Sequence, residues 1–131
     1  MDAKAFRFAL QSASMSLSAA PSHAHATLPE GQLLYAVGDI HGRLDLLDAM
    51  LSRIEADARM SCRAKHRALV FLGDYVDRGP DSRSVVERLI GGLPRGFEAH
   101  FLKGNHEAIL LNFLDDAWTL DNWLLNGGDP T

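Results

Sequence analysis

Three short segments of this 131-residue chain carry the side chains best suited to chemistry: Gly38-Asp39-Ile40-His41-Gly42, Gly73-Asp74-Tyr75-Val76-Asp77-Arg78-Gly79 and Gly104-Asn105-His106-Glu107. Together they offer carboxylate oxygen, amide oxygen and imidazole nitrogen, a donor mixture that suits Mn, Fe or Zn better than Ca or Mg. Asp39 and His41 are two residues apart, so in an extended segment both point the same way and can share one ion. Asp74 has two carboxylate oxygens and can bridge two ions, while Asn105 offers an amide oxygen to the second. Two ions roughly 3.5–4 Å apart lower the pKa of a bridging water and clamp a phosphoryl group for in-line attack. Without cations the clustered carboxylates would repel one another. His106 can then donate a proton to the leaving oxygen as general acid. Asp77 can accept from its other ring nitrogen and fix the tautomer. Arg78 has the fork geometry for bidentate phosphate binding.

These segments need elements that bring them to one place. Each follows a short apolar run of buried-strand type: Leu33–Val37, Ala68–Leu72 and Phe97–Leu102. Between the runs lie helical patterns. Leu44, Leu47, Leu51, Ile54 and Ala58 share one face, and Val85, Val86, Leu89 and Ile90 share another. Asp81 or Ser82 is the expected N-cap of the second helix, which Gly91-Gly92 and Pro94 end. A third helix is expected over Glu107–Asp116 and a fourth over Trp118–Leu125. The order βαβαβα predicts an α/β fold with parallel strands flanked by helices. The three segment starts are 35 and 31 residues apart, about one strand–helix–strand step each. They should therefore converge on the carboxyl edge of the sheet, where such folds bind ligands.

Composition removes other classes. Thirteen basic against seventeen acidic residues give a net charge of −4, so no global basic field for nucleic acid exists. The irregular basic stretch Arg59–Arg67 reads as a solvated loop containing His66, and His100 lies inside the third strand; neither is expected to be a ligand. Cys62 is the only cysteine, which excludes an intrachain disulfide or a cysteine zinc cluster and fits a cytoplasmic location. No Gly-x-Gly-x-x-Gly follows the first strand, and no Gly-x-x-x-x-Gly-Lys phosphate loop is present. Residues 8–29 lack Asp, Glu, Lys and Arg, but serines interrupt them too often for a membrane span. Residues 1–31 read as a disordered or leader segment, with His23 and His25 in it, ending at the turn Leu28-Pro29-Glu30-Gly31. Residues 32–131 form the expected domain. Asp45, Asp48, Asp115 and Asp116 read as solvated helix charges, and Trp118 and Trp123 as core or sheet cover. Glu107 has no firm role beyond a helix-start position.

The three segments resemble the motifs of the phosphoprotein phosphatase family of calcineurin-like metallophosphoesterases, and Trp123-Leu124-Leu125-Asn126-Gly127-Gly128 resembles a stretch of its bacterial branch. The resemblance implies that Asp39, His41 and Asp74 hold a first metal and that Asp74 and Asn105 hold a second. It also implies that His106 with Asp77 is an acid dyad and that Arg78 binds phosphate. The expected fold is the N-terminal half of the family's sandwich. The expected function is hydrolysis of phosphomonoesters by metal-activated water, of the serine/threonine protein phosphatase type, on a phosphoprotein or small phosphoester substrate. Asp77 leans that way, because relatives that split diadenosine tetraphosphate often carry a non-acidic residue there. A nucleotide hydrolase of that kind is the alternative. The expected cofactors are two divalent ions, Mn first, with Fe or Zn as alternatives. Family members also draw two histidines and an arginine from a second half, whereas this chain has no His after His106 and no Arg after Arg95. The second metal site is thus expected to be incomplete here, pointing to an inactive fragment or to a complementing C-terminal half.

Overall fold

The computed structural model describes residues 27–61 and 64–131. The expected leader lies outside the described residues up to position 26, as does Cys62. The expected turn before the domain is present: the Pro29 carbonyl accepts from the Gln32 N–H at 3.2 Å, and Gly31 takes φ +79°.

From there the chain runs β1 (Gln32–Val37), α1 (Leu44–Met60), β2 (His66–Phe71), α2 (Ser82–Gly91), β3 (Glu98–Phe101) and α3 (Asn105–Asp115). A 3₁₀ turn (Ala117–Thr119) then leads into α4 (Leu120–Leu125). The strands form one parallel sheet in the order β1-β2-β3, with Gln32 opposite His66 and Ala68 opposite Glu98. His66 therefore opens β2 instead of lying in a loop. The Gly31 carbonyl accepts from both Lys65 and His66 N–H, which starts the ladder early.

The core is one cluster in which Leu47, Leu51 and Ile54 of α1 and Val85 and Leu89 of α2 pack on Leu69 and Phe71 of β2. The apolar stripe of α1 is the one its spacing predicts, Leu47, Leu51, Ile54 and Ala58 all being buried. Ile90, expected on the buried face of α2, is 60% exposed, because the stripe that meets the sheet runs through Ser82, Val85 and Leu89. Asp81 caps α2, its carboxylate accepting from Ser84 N–H at 3.0 Å. Asp48 is more than a solvated charge: it accepts from Arg88 Nε at 2.7 Å and ties α1 to α2. Asp116 likewise caps the 3₁₀ turn by accepting from Trp118 N–H. Trp118 itself is 95% exposed and covers nothing.

Among the described residues, the other face of the sheet is exposed along β1. Leu34 and Ala36 of β1 are exposed while Leu33, Tyr35 and Val37 are half-buried, the period-two alternation of a strand covered on one side only. No helix among the described residues is long and apolar enough to cross a membrane.

Candidate metal centre

The loops after the three strands interlock through their backbones. The Asp74 carbonyl accepts from Ile40 and His41 N–H, each at 2.9 Å, and the Tyr75 carbonyl accepts from Gly42 N–H at 2.9 Å. The third loop joins through Gly104, where a Cβ would collide with the Asp74 carboxylate, so only glycine lets α3 begin so close. α3 starts at Asn105, two residues earlier than its apolar pattern predicts, which puts Asn105, His106 and Glu107 on its first turn.

Asp39, His41 and Asp74 each place one ligand atom within 4.8 Å of the others. Their convergence has a different cause from the one expected. The segment is not extended at His41, which takes φ +46° in a left-handed turn. Asp74 (φ +55°), Asp77 (+70°) and Arg78 (+66°) share that region, and with His41 they are the non-glycine residues of positive φ among those described. Each such conformation costs of order 1–2 kcal/mol, so the strain falls on the residues singled out for chemistry.

Hydrogen bonds fix the protons. The His41 Nδ1–H donates to the Val76 carbonyl at 2.9 Å, which leaves the lone pair on Nε2. That lone pair faces Asp39 Oδ2 at 3.9 Å and accepts from Arg78 Nη1 at 3.0 Å. An imidazole lone pair between two carboxylates is a donor set that fits a divalent transition ion, and Arg78 is already drawn against it. Asn105 is exposed beside Asp74, between Gly104 and His106. Asp74 Oδ1 accepts from the His106 N–H at 3.1 Å.

His106 and Asp77 are buried together, 1% and 0% exposed. The His106 Nδ1–H donates to Asp77 Oδ2 at 2.9 Å, and the His106 ring lies edge-on to His41 at 4.7 Å. The structure thus brings all seven sequence-predicted site residues to one edge of the sheet.

Glu107, which had no firm role, and Trp123, read as core or sheet cover, both prove structural to the site. Glu107 is 2% exposed, and its carboxylate accepts from four backbone N–H groups, those of Asp74, Tyr75, Val76 and Gly104. It fastens the second loop to the start of α3. Its place three residues after the N-cap Gly104 is the sequence signal for half of a capping box. Trp123 is half-buried and donates from Nε1 to Asp77 Oδ1 at 3.0 Å. The buried Tyr75 hydroxyl donates to the Leu102 carbonyl at 2.6 Å, and burial, with Glu107 and Asp74 nearby, pushes its pKa well up.

The family model for calcineurin-like phosphoesterases matches residues 33–129. The chain belongs to this family. Calcineurin-like relatives include the asymmetrical bis(5'-nucleosyl)-tetraphosphatase PrpE of Oceanobacillus iheyensis, 35% identical over 53% of this chain and 28% of that protein. Serine/threonine-protein phosphatase 2 of Escherichia coli K12 is 36% identical over 73% of this chain and 38% of that protein. The symmetrical bis(5'-nucleosyl)-tetraphosphatase of Legionella pneumophila strain Corby is 39% identical over 61% and 26%. The chain thus spans about a quarter to two fifths of the length of these curated calcineurin-like relatives. No solved structure matches it significantly.

Proposed function

We propose that residues 32–131 belong to a metal-dependent phosphoesterase of the serine/threonine protein phosphatase type, acting on phosphomonoesters in the cytoplasm. The observation that carries this reading is the buried His106–Asp77 pair set against the Asp39–His41–Asp74 group on one sheet edge. Asp39, His41 and Asp74 would hold one divalent ion, with Asp74 and Asn105 contributing to a second. When bound, such ions, Mn first among them, supply the Lewis acidity that lowers the pKa of a water and screens phosphoryl charge. Arg78 orients the phosphate through its guanidinium fork. His106, its Nδ1–H held by Asp77, would give the leaving oxygen the Nε2 proton that it carries as imidazolium, a charge the Asp77 carboxylate balances. Two donors for the second ion are fewer than a closed site needs, so a complementing half would supply the rest.

Relatives named as bis(5'-nucleosyl)-tetraphosphatases support a second reading, a nucleotide hydrolase on the same scaffold. Parallel assays with Mn, a phosphoserine peptide and diadenosine tetraphosphate separate the two. Both reactions are expected to be slow with this chain alone, the peptide reacting faster than the dinucleotide, and His106→Asn to remove the turnover of each. A preference for the dinucleotide would overturn the phosphatase assignment. Absence of Mn binding in calorimetry would overturn the metal reading itself.

A further inference from the structure

The segment Trp123–Thr131 lies against the second loop and holds it at two successive residues. The Trp123 indole N–H donates to Asp77 Oδ1 at 3.0 Å, and the Gly127 carbonyl accepts from the Arg78 N–H at 2.8 Å. The Asp77 N–H donates to Thr131 Oγ1 at 2.9 Å and to Ser82 Oγ at 3.1 Å. The Asp77 carboxylate thus has one nitrogen donor on each oxygen, Trp123 on Oδ1 and His106 on Oδ2. With one oxygen bonded the group could still turn about its last torsion; with both bonded it cannot. The indole is fixed in turn. It stacks on Phe113 at 4.7 Å and 17°, and Gly128 lies flat against it where a Cβ would collide with the ring.

We propose that Trp123 is a positioning residue for the acid pair: its N–H locks the Asp77 carboxylate so that Asp77 holds the His106 Nδ1 proton and aims Nε2 into the site. This rests on the reading of His106 as the proton donor. The feature carrying it is a line of two hydrogen bonds, indole to carboxylate to imidazole, across 46 and 29 residues of chain. Neither the apolar pattern nor the three loop motifs contains that line.

Solvent exchange of side-chain N–H protons in the isotopically labelled chain tests the lock without requiring turnover. In the unmodified protein the Trp123 indole proton should exchange much more slowly than that of the exposed Trp118. Equal rates would overturn the proposal whatever a variant does. Trp123→Phe keeps a ring on Phe113 and deletes the donor. It is expected to raise exchange of the His106 Nδ1 proton roughly tenfold or more, the size of one charge-assisted hydrogen bond, while the core amides of Leu69 and Phe71 keep their protection. An unchanged His106 proton, or an equal loss at the core amides, would reduce Trp123 to packing and sink the proposal. Gly128→Ala, which pushes the indole aside without deleting its N–H, should reproduce the His106 effect. Loss in His106→Asn of the residual Mn-dependent turnover that the chain retains tests the underlying reading separately.

Discussion

Asp74 is the residue that joins the three loops at the candidate metal centre. Its backbone carbonyl fixes the first loop, its Oδ1 receives the third loop's His106 N–H, and its remaining carboxylate capacity faces Asp39 and His41. Asn105 lies at the exposed margin and would offer only an amide oxygen. Asp74→Asn is therefore expected to abolish Mn binding more completely than Asn105→Ala in calorimetric titration; the reverse order would contradict a bridging role for Asp74. At the same scale, the two tyrosines give a pH signature. Burial and the bond to Asp57 raise the Tyr35 pKa to about 12, and burial raises that of Tyr75 further. A folded-state pKa above the unfolded value of ~10 means the stabilisation is complete below pH ~10 and lost as pH rises through about 12. Absorbance titration of the folded chain should show no tyrosine ionising near pH 10. A normal tyrosine titration with the far-ultraviolet signal intact would refute both placements.

At the scale of elements, the helix starts decide where the site sits. Asp81 caps α2 and Glu107 opens α3, and both do so against the loops that carry the chemistry. Asp81→Ala should cost about 1 kcal/mol in denaturant unfolding, the usual value of such a cap. Glu107→Ala leaves four backbone N–H groups without their acceptor, so a loss of more than about 3 kcal/mol, enough to unfold a marginal domain, is expected. A small change in the Glu107 variant would show that water replaces the carboxylate readily. The βαβαβα order, the stripe on α1, the Asp81 cap and the turn at Gly31 were all legible in the sequence, because each follows from spacing along one segment. The opening of β2 at His66 and the early start of α3 at Asn105 were not. Both depend on a partner far along the chain, the Gly31 carbonyl in one case and the Asp74–Gly104 contact in the other.

Across the whole molecule, one sheet face carries α1 and α2 while the other leaves Leu34 43% exposed, with Leu72 and Leu102 near half exposed beyond the strand ends. An apolar sheet face of this kind is built to be covered. In the proposed enzyme the covering part would also supply further donors to the second ion. The 131-residue chain with added Mn is accordingly expected to turn over little p-nitrophenyl phosphate. Robust metal-dependent turnover abolished by His106→Asn would show that the residues present complete the centre by themselves.

The amino-acid sequence determined the chemistry available to this protein and the edge on which it would gather. Residue types are written directly in the chain, and parallel strand–helix units leave their strand ends on one side. Only the tertiary structure decided how the gathered groups are held. The left-handed turns at His41, Asp74, Asp77 and Arg78 raise local energy, and the mild tolerance of Asp and His for that region does not require them. The Glu107 clamp and the Trp123–Asp77–His106 line join residues 29 to 46 positions apart, and such contacts exist only once the chain has closed on itself.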